Sequence, residues 1–232
     1  MGIDLAMKSP RRKVMFRPEF DMLAERYTRT GFFEEEQFSR VQRWLPEPVQ
    51  CAIGFAHLTG WRIQSEVLPL QWRQVDFAAG WVRLDADTTK NGEGRVFPFT
   101  DDLQAVLEAT REYTRQVERE RGIICPWVFH RNGKPIRSFR RIWKTACKKA
   151  GCPGMIPHDC RRTAVRAMVR RGIVEGVAMK MTGHKTRSVF ERYNIVSESD
   201  LIDAAKRLNG RGGDSRGDSG RTSGCFEAKS DS

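Results

Sequence analysis

Hydrophobic spacing changes character twice along the chain. FEEEQFSRVQRWLP (residues 33–46) places apolar positions on one helical face and stops at Pro46. PEPVQCAIGFAHLTG follows as a buried helix, with Cys51 or Ala52, Phe55 and Leu58 at helical spacing and Gly60 at its end. WRIQSEVLPLQWRQVDF continues as a short helix, stopped by Pro69, and leads into extended chain. At Trp81 the period shortens towards two. WVRLDADTTKNGEGRVFPF reads as strand, polar tip and strand, with Asn91-Gly92 as the turn dipeptide and Lys90 at the tip. Helical spacing then returns in DDLQAVLEATREYTRQVERERG, a long charged helix closed by Gly122.

The rest follows the same logic. PWVFHRNGKPI predicts a short hairpin or loop, and SFRRIWKTACKKAG a basic amphipathic helix with Phe139, Ile142 and Trp143 facing the core. PHDCRRTAVRAMVRRG is a helix with Pro157 in its first turn and Gly172 at its C-terminal end. Ser188 and Glu191 have capping-box spacing, which starts a helix at Ser188, and Ser197 with Asp200 starts another through Leu208. Residues 1–30 read as a basic arm or linker remnant. Residues 209–232 are rich in Gly and Ser and read as a disordered tail. The expected fold class is mostly α with a small antiparallel β-sheet.

Charge sharpens this picture. The net charge is +12, and the tail contributes nothing to it, having four basic and four acidic residues. From Arg131 to Lys149 there are eight basic residues and no acidic one. Arg137, Arg140, Arg141, Lys144 and Lys148 in this stretch, with Arg162 further on, form the footprint of a phosphate-rich partner, read as double-stranded DNA. No run of about 18 apolar residues exists to span a membrane. The N-terminus lacks a secretory signal pattern, so Cys51, Cys125, Cys147, Cys152, Cys160 and Cys225 read as reduced thiols of a cytoplasmic protein. The spacing of Cys147, Cys152, His158 and Cys160 fits no common zinc module.

Candidate chemistry gathers in MTGHKTRSVFERYN, where His184 precedes Tyr193 by nine residues. One continuous helix would rotate them about 900° apart, onto opposite faces. A break at Lys185-Thr186-Arg187 lets His184 fold back towards Tyr193. His158 and Arg161, three apart, share a helix face. Arg62 follows the Thr59-Gly60 turn, and Lys90 sits on the hairpin tip.

In this order the pieces resemble the tyrosine recombinases, the integrase family of phage, transposons and integrons. TGWRIQSEVLPLQW is similar to the family's first arginine box, TTKNGEGRVFP to its lysine hairpin, PHDCRRTAVRAM to its H-x-x-R box, and MTGHKTRSVFERYN to its closing box. The resemblance covers roughly residues 31 to 208 and implies the tyrosine recombinase catalytic-domain fold. Two departures stand out. Arg62 lies four residues before Glu66, where the family usually has three, so a local helix bulge is expected. The family's N-terminal core-binding domain has no counterpart in about 30 residues, so the chain reads as a catalytic domain alone.

The resemblance implies Tyr193 as nucleophile, Arg62 and Arg161 as clamps on the phosphate, and Lys90 as the proton donor to the leaving 5′ oxygen. His158 is then the acceptor of the tyrosine proton, His184 a hydrogen-bond donor to the phosphate, and Glu66 the carboxylate that orients the arginines. A phenol with a pKa near 10 needs such a base, and forked guanidiniums suit a pentavalent phosphorane better than lysines do. No metal and no cofactor is implied. Self-association on DNA through residues 197–208, by a stripe of Leu201, Ile202, Ala205 and Leu208, stands beside packing within the same chain. Two other readings remain open at this point: a non-catalytic DNA-binding remnant of a mobile element, and a type IB topoisomerase.

Overall fold

The structure, a computed structural model, describes residues 31–86, 94–194, 196 and 198–210. The expected arm (1–30), Lys90 and Ser197 lie outside the described residues, as does the expected tail from residue 211 onward. Helix α1 (Glu35–Arg43) begins at Glu34, whose backbone N–H donates to Gln37 Oε1 at 3.2 Å, a reciprocal cap with Gln standing at the third position. Helix α2 (Glu47–Thr59) follows Pro46 and is buried around most of its circumference, at Val49, Ala52, Ile53, Gly54, Phe55, Ala56 and Thr59. A helix that is apolar all round belongs at the centre of a domain, and α2 is packed by neighbours on several sides.

After Gly60, in the left-handed conformation (φ 68°), the chain makes a π-helical turn over Ile63–Val67, where a short helix with a local bulge is expected. The N–H groups of Val67 and Leu68 donate to the carbonyls five residues back, on Arg62 and Ile63, at 3.1 and 2.9 Å. The extra residue between Arg62 and Glu66 is accommodated here. Strands β1 (Val75–Asp76), β2 (Trp81–Leu84) and β3 (Arg95–Pro98) form an antiparallel sheet in that order, with Leu84 paired to Arg95 and Trp81 to Pro98. The long helix α3 (Asp101–Arg121) is capped by Thr100, whose Oγ1 accepts from Leu103 N–H at 3.2 Å, and ends at Gly122 (φ 63°).

Strands β4 (His130–Arg131) and β5 (Lys134–Pro135) close a tight hairpin through Asn132 and Gly133, both at positive φ. Helix α4 (Arg140–Lys149) buries Trp143, Ala146 and Cys147, and Phe139 just before it, while Ile142 is only half-buried. Helices α5 (Asp159–Arg170) and α6 (Glu175–Thr182) follow, with α5 packed along α2 and α6 against both α5 and β3. Helix α7 (Arg187–Glu191) is one turn long and starts from Thr186, not Ser188. Thr186 is extended, so its Oγ1 faces Val189 N–H and takes the capping role, and Ser188 lies within the first turn. Helix α8 (Glu198–Gly210) runs two residues into the segment expected as tail. Among the described residues no helix is long and apolar enough to cross a membrane.

Candidate active site

Three chain reversals bring the site together. Gly60 ends α2, Gly183 ends α6, and the turn after α7 carries Tyr193. Trp61 fastens the first to the second, donating from Nε1 to Met181 O at 2.9 Å with its ring almost fully buried. Both glycines permit close approach. A Cβ on Gly60 would meet Ala164 Cβ and Thr182 Cγ2 at 3.1 Å, and one on Gly183 would overlap the guanidinium of Arg95.

Of the sequence-predicted residues, His158, Arg161, His184, Tyr193, Arg62 and Glu66 converge. His158 Nε2 lies 2.9 Å from Tyr193 Oη, and the His184 ring centroid is 4.8 Å from that of Tyr193. Arg161 is 2% exposed. Its Nη1 donates to the carbonyls of Gly60 and Thr182, and its Nη2 donates to His184 Nε2 at 3.0 Å. Glu66, buried, orients two arginines. Its Oε1 accepts from Arg62 Nη1 at 2.7 Å and Arg95 Nη2 at 2.8 Å, and its Oε2 from Arg62 N–H at 2.7 Å and Arg95 Nη1 at 3.1 Å. Burial alone would raise the carboxyl's pKa. The Arg62 N–H bond and the charges of Arg95 and Arg62 outweigh it and hold Glu66 below its ordinary value.

The two histidines are neutral. Burial first, then the charges of Arg161 and Arg162, lower His158 to about 4. Burial, then Arg161, Arg62 and Arg95, lowers His184 to about 3. The hydrogen-bond chain also selects the His184 tautomer. Thr182 O–H donates to Ala178 O at 2.7 Å, so Thr182 Oγ1 accepts from His184 Nδ1–H at 2.7 Å. Nε2 then carries the lone pair that Arg161 meets. In this arrangement His184 accepts from Arg161, whereas the resemblance gave it a donor's part.

The cationic residues expected on DNA divide. Arg137, Arg140, Arg141, Lys144 and Lys148 are exposed on or just before α4. Arg162 is half-buried at the site, with Nη1 on Asp159 Oδ1 at 2.8 Å and its guanidinium 5.4 Å from the Tyr193 ring centroid. Lys90 lies outside the described residues. Arg95 was missed by the sequence reading. The available signal was strand alternation: Arg95 and Phe97 face inward together while Val96 and Pro98 face out, and an inward charge demands a partner. Among the described residues no group of three His, Cys, Asp or Glu side chains stands close enough to hold a metal ion.

Comparison with known proteins bears on the family and the fold. Residues 33–199 match the profile of the Phage integrase family. The chain is 24% identical over 195 residues to an integrase of Salmonella phage P22, covering 78% of this chain and 48% of that protein. It is 27% identical over 157 residues to the tyrosine recombinase XerA of Pyrococcus furiosus, covering 65% of this chain and 51% of that one. It thus spans about half the length of these curated relatives. Among solved structures, a XerA recombinase superposes with a TM-score of 0.62 at 17% identity, over 76% of this chain and 63% of that one. A lambda integrase (75–356) dimer bound to a COC′ core site gives 0.56 at 17% identity, over 69% and 57%.

Proposed function

Because the chain belongs to the phage integrase family, we propose that residues 31–208 form a catalytic domain that cuts and rejoins double-stranded DNA through a 3′-phosphotyrosyl intermediate. The observation that carries this reading is the 2.9 Å contact between His158 Nε2 and Tyr193 Oη, in a pocket where Arg161 and Arg162 both stand over the tyrosine ring. A neutral imidazole accepts the phenolic proton as Oη attacks phosphorus. The phosphorus–O5′ bond breaks, and Lys90 supplies the proton that the departing oxygen needs. Arg62 and Arg161 hold the charge that builds on the non-bridging oxygens. The phosphotyrosyl bond conserves the energy of the broken linkage, so the reverse attack by a 5′ hydroxyl rejoins the strand.

Charge balance supports the same role. Three guanidiniums, of Arg62, Arg95 and Arg161, gather around the single carboxylate of Glu66, and both histidines beside them are neutral. The excess positive charge suits a phosphodiester. Arg62, with 26% of its side chain exposed, is more open to solvent than Arg161. The exposed cations of α4 track the flanking phosphates. Self-association is assigned to α8, whose Leu201 and Ile202 are 63% and 56% exposed while Asp200 ties the helix to Arg166 and Arg170 of the same chain.

Covalent capture tests the reading. The protein and its Tyr193→Phe form are incubated with a nicked duplex library that includes DNA from around its own gene, and DNA retained after denaturation is sequenced. Attachment that disappears in Tyr193→Phe, with DNA binding kept, is the expected result. Salt-sensitive binding without attachment, also after addition of a related core-binding domain in trans, would leave a DNA-binding remnant as the better description.

A further inference from the structure

Arg95 opens β3, five residues after Lys90, and carries a charge into an almost sealed position, 8% exposed. Its guanidinium forks onto both oxygens of Glu66, at 2.8 and 3.1 Å, and Nη1 also donates to Thr182 O at 2.9 Å. Each acceptor is shared. Glu66 also holds Arg62, through its backbone N–H and through Nη1. Thr182 O also holds Arg161, at 2.7 Å. Arg95 therefore stands between the two arginines of the site without needing to touch a phosphate itself. We propose that Arg95 is a positioning residue that couples Arg62 to Arg161, setting the separation of the two guanidiniums through Glu66 and the carbonyl at the end of α6.

The chemistry requires an arginine. Three acceptor contacts from two guanidinium nitrogens match the guanidinium fork, whereas a lysine ammonium on a flexible stem cannot keep both carboxylate oxygens and the carbonyl at once. The C-terminal end of α6 favours a cation there. Gly183 leaves room for it, since a Cβ at that position would overlap the guanidinium. Because β3 pairs with β2 at Leu84–Arg95, the same residue anchors the foot of the strand pair to the arginine site.

The proposal rests on the recombinase reading, and its test separates the two. Single-turnover cleavage is measured on the DNA site captured by the unaltered protein, with a phosphodiester or a neutral methylphosphonate at the scissile position. Arg95→Leu is expected to lose about 100-fold on the phosphodiester, the scale of a displaced transition-state contact, with DNA affinity unchanged. Arg95→Lys is expected to lose about 10-fold. On the methylphosphonate, which makes less demand on paired cations, the Arg95→Leu loss should shrink to below about 10-fold. Equal losses on both substrates, or none on either, would overturn the proposal. If Arg95→Leu does not fold, Arg95→Leu/Glu66→Gln removes the stranded carboxylate charge, and the same comparison is made on it. If the unaltered protein attaches to no DNA, the recombinase reading fails. Arg95 is then judged by titrating inorganic phosphate while following the guanidinium NMR signals of Arg62 and Arg161. At least fivefold weaker phosphate binding in Arg95→Leu supports the coupling. Unchanged affinity, or no response of the two arginines in the unaltered protein, overturns it.

Discussion

Tyr193 Oη stands 2.9 Å from His158 Nε2, and the histidine's basicity is set by what surrounds it. Burial and the charges of Arg161 and Arg162 lower His158 to about 4, so the neutral, accepting form prevails at pH 7 and is lost only as pH falls through about 4. Single-turnover cleavage should therefore be level from pH 8 to about 5.5, without the inflection near 6.5 that an ordinary histidine would give. His158→Gln should lose about 10²- to 10⁴-fold in the same assay, the usual worth of a general base. Thr182→Val removes the hydroxyl that selects the His184 tautomer, and should change the ¹⁵N shifts of both His184 ring nitrogens, read by NMR. His158, Arg161, His184 and Tyr193 were legible in the sequence because short spacings bring them into two boxes. Arg95 was not, because its partners lie 29 and 87 residues away and only the folded chain brings them to it.

Helix ends decide where the site's side chains start. Gly172 and Gly183 share the left-handed conformation, at φ 76° and 73°, but only Gly183 is crowded. Gly172→Ala meets nothing within 4 Å and should cost about 1 kcal/mol, the penalty of that backbone region alone. Gly183→Ala should cost more in chemical denaturation and should also slow cleavage, since the new methyl displaces Arg95. Equal destabilisation by the two substitutions would contradict the geometry. The C-terminal glycines at 60, 122 and 172 were readable because few residues other than glycine adopt that conformation without strain. The start of α7 was misread by local pattern: two neighbouring hydroxyl residues compete for the cap, and the backbone angle at Thr186 decides between them. The π-helical turn was readable as an extra residue, and its shape follows from Glu66 having to reach both Arg62 and Arg95.

Across the molecule, histidines held below their ordinary pKa make acid a destabilising agent. His57, lowered to about 4 by burial and then Arg171, joins His158 (about 4), His184 (about 3) and His130, which burial also lowers. Each takes up a proton more readily when unfolded, near pH 6.5, so the unfolded chain binds more protons and stability falls as pH drops from about 6.5 towards 4. A melting temperature several degrees lower at pH 5 than at pH 7 is expected, read by calorimetry, with part of the loss removed in His57→Phe. The basic helix adds a second bulk property: Arg140→Ala and Arg141→Ala should each reduce the slope of log affinity for DNA against log salt by about 0.9. The helical character and the small sheets were legible from periodicity, whereas the half-buried place of Arg162 beside Asp159 and Tyr193 was not, because its charge resembles that of its exposed neighbours in the sequence. The guanidinium of Arg166 has a consequence of a different kind. It stacks over Phe32 at 3.8 Å and pairs with both Glu34 and Asp200, so segments near the two ends of the described chain meet on one side chain. Such a chain can be reordered: a short peptide joining residue 31 to residue 210, with new ends opened beside the 92% exposed Ile124, should give a circular permutant that keeps the same packing and the same site.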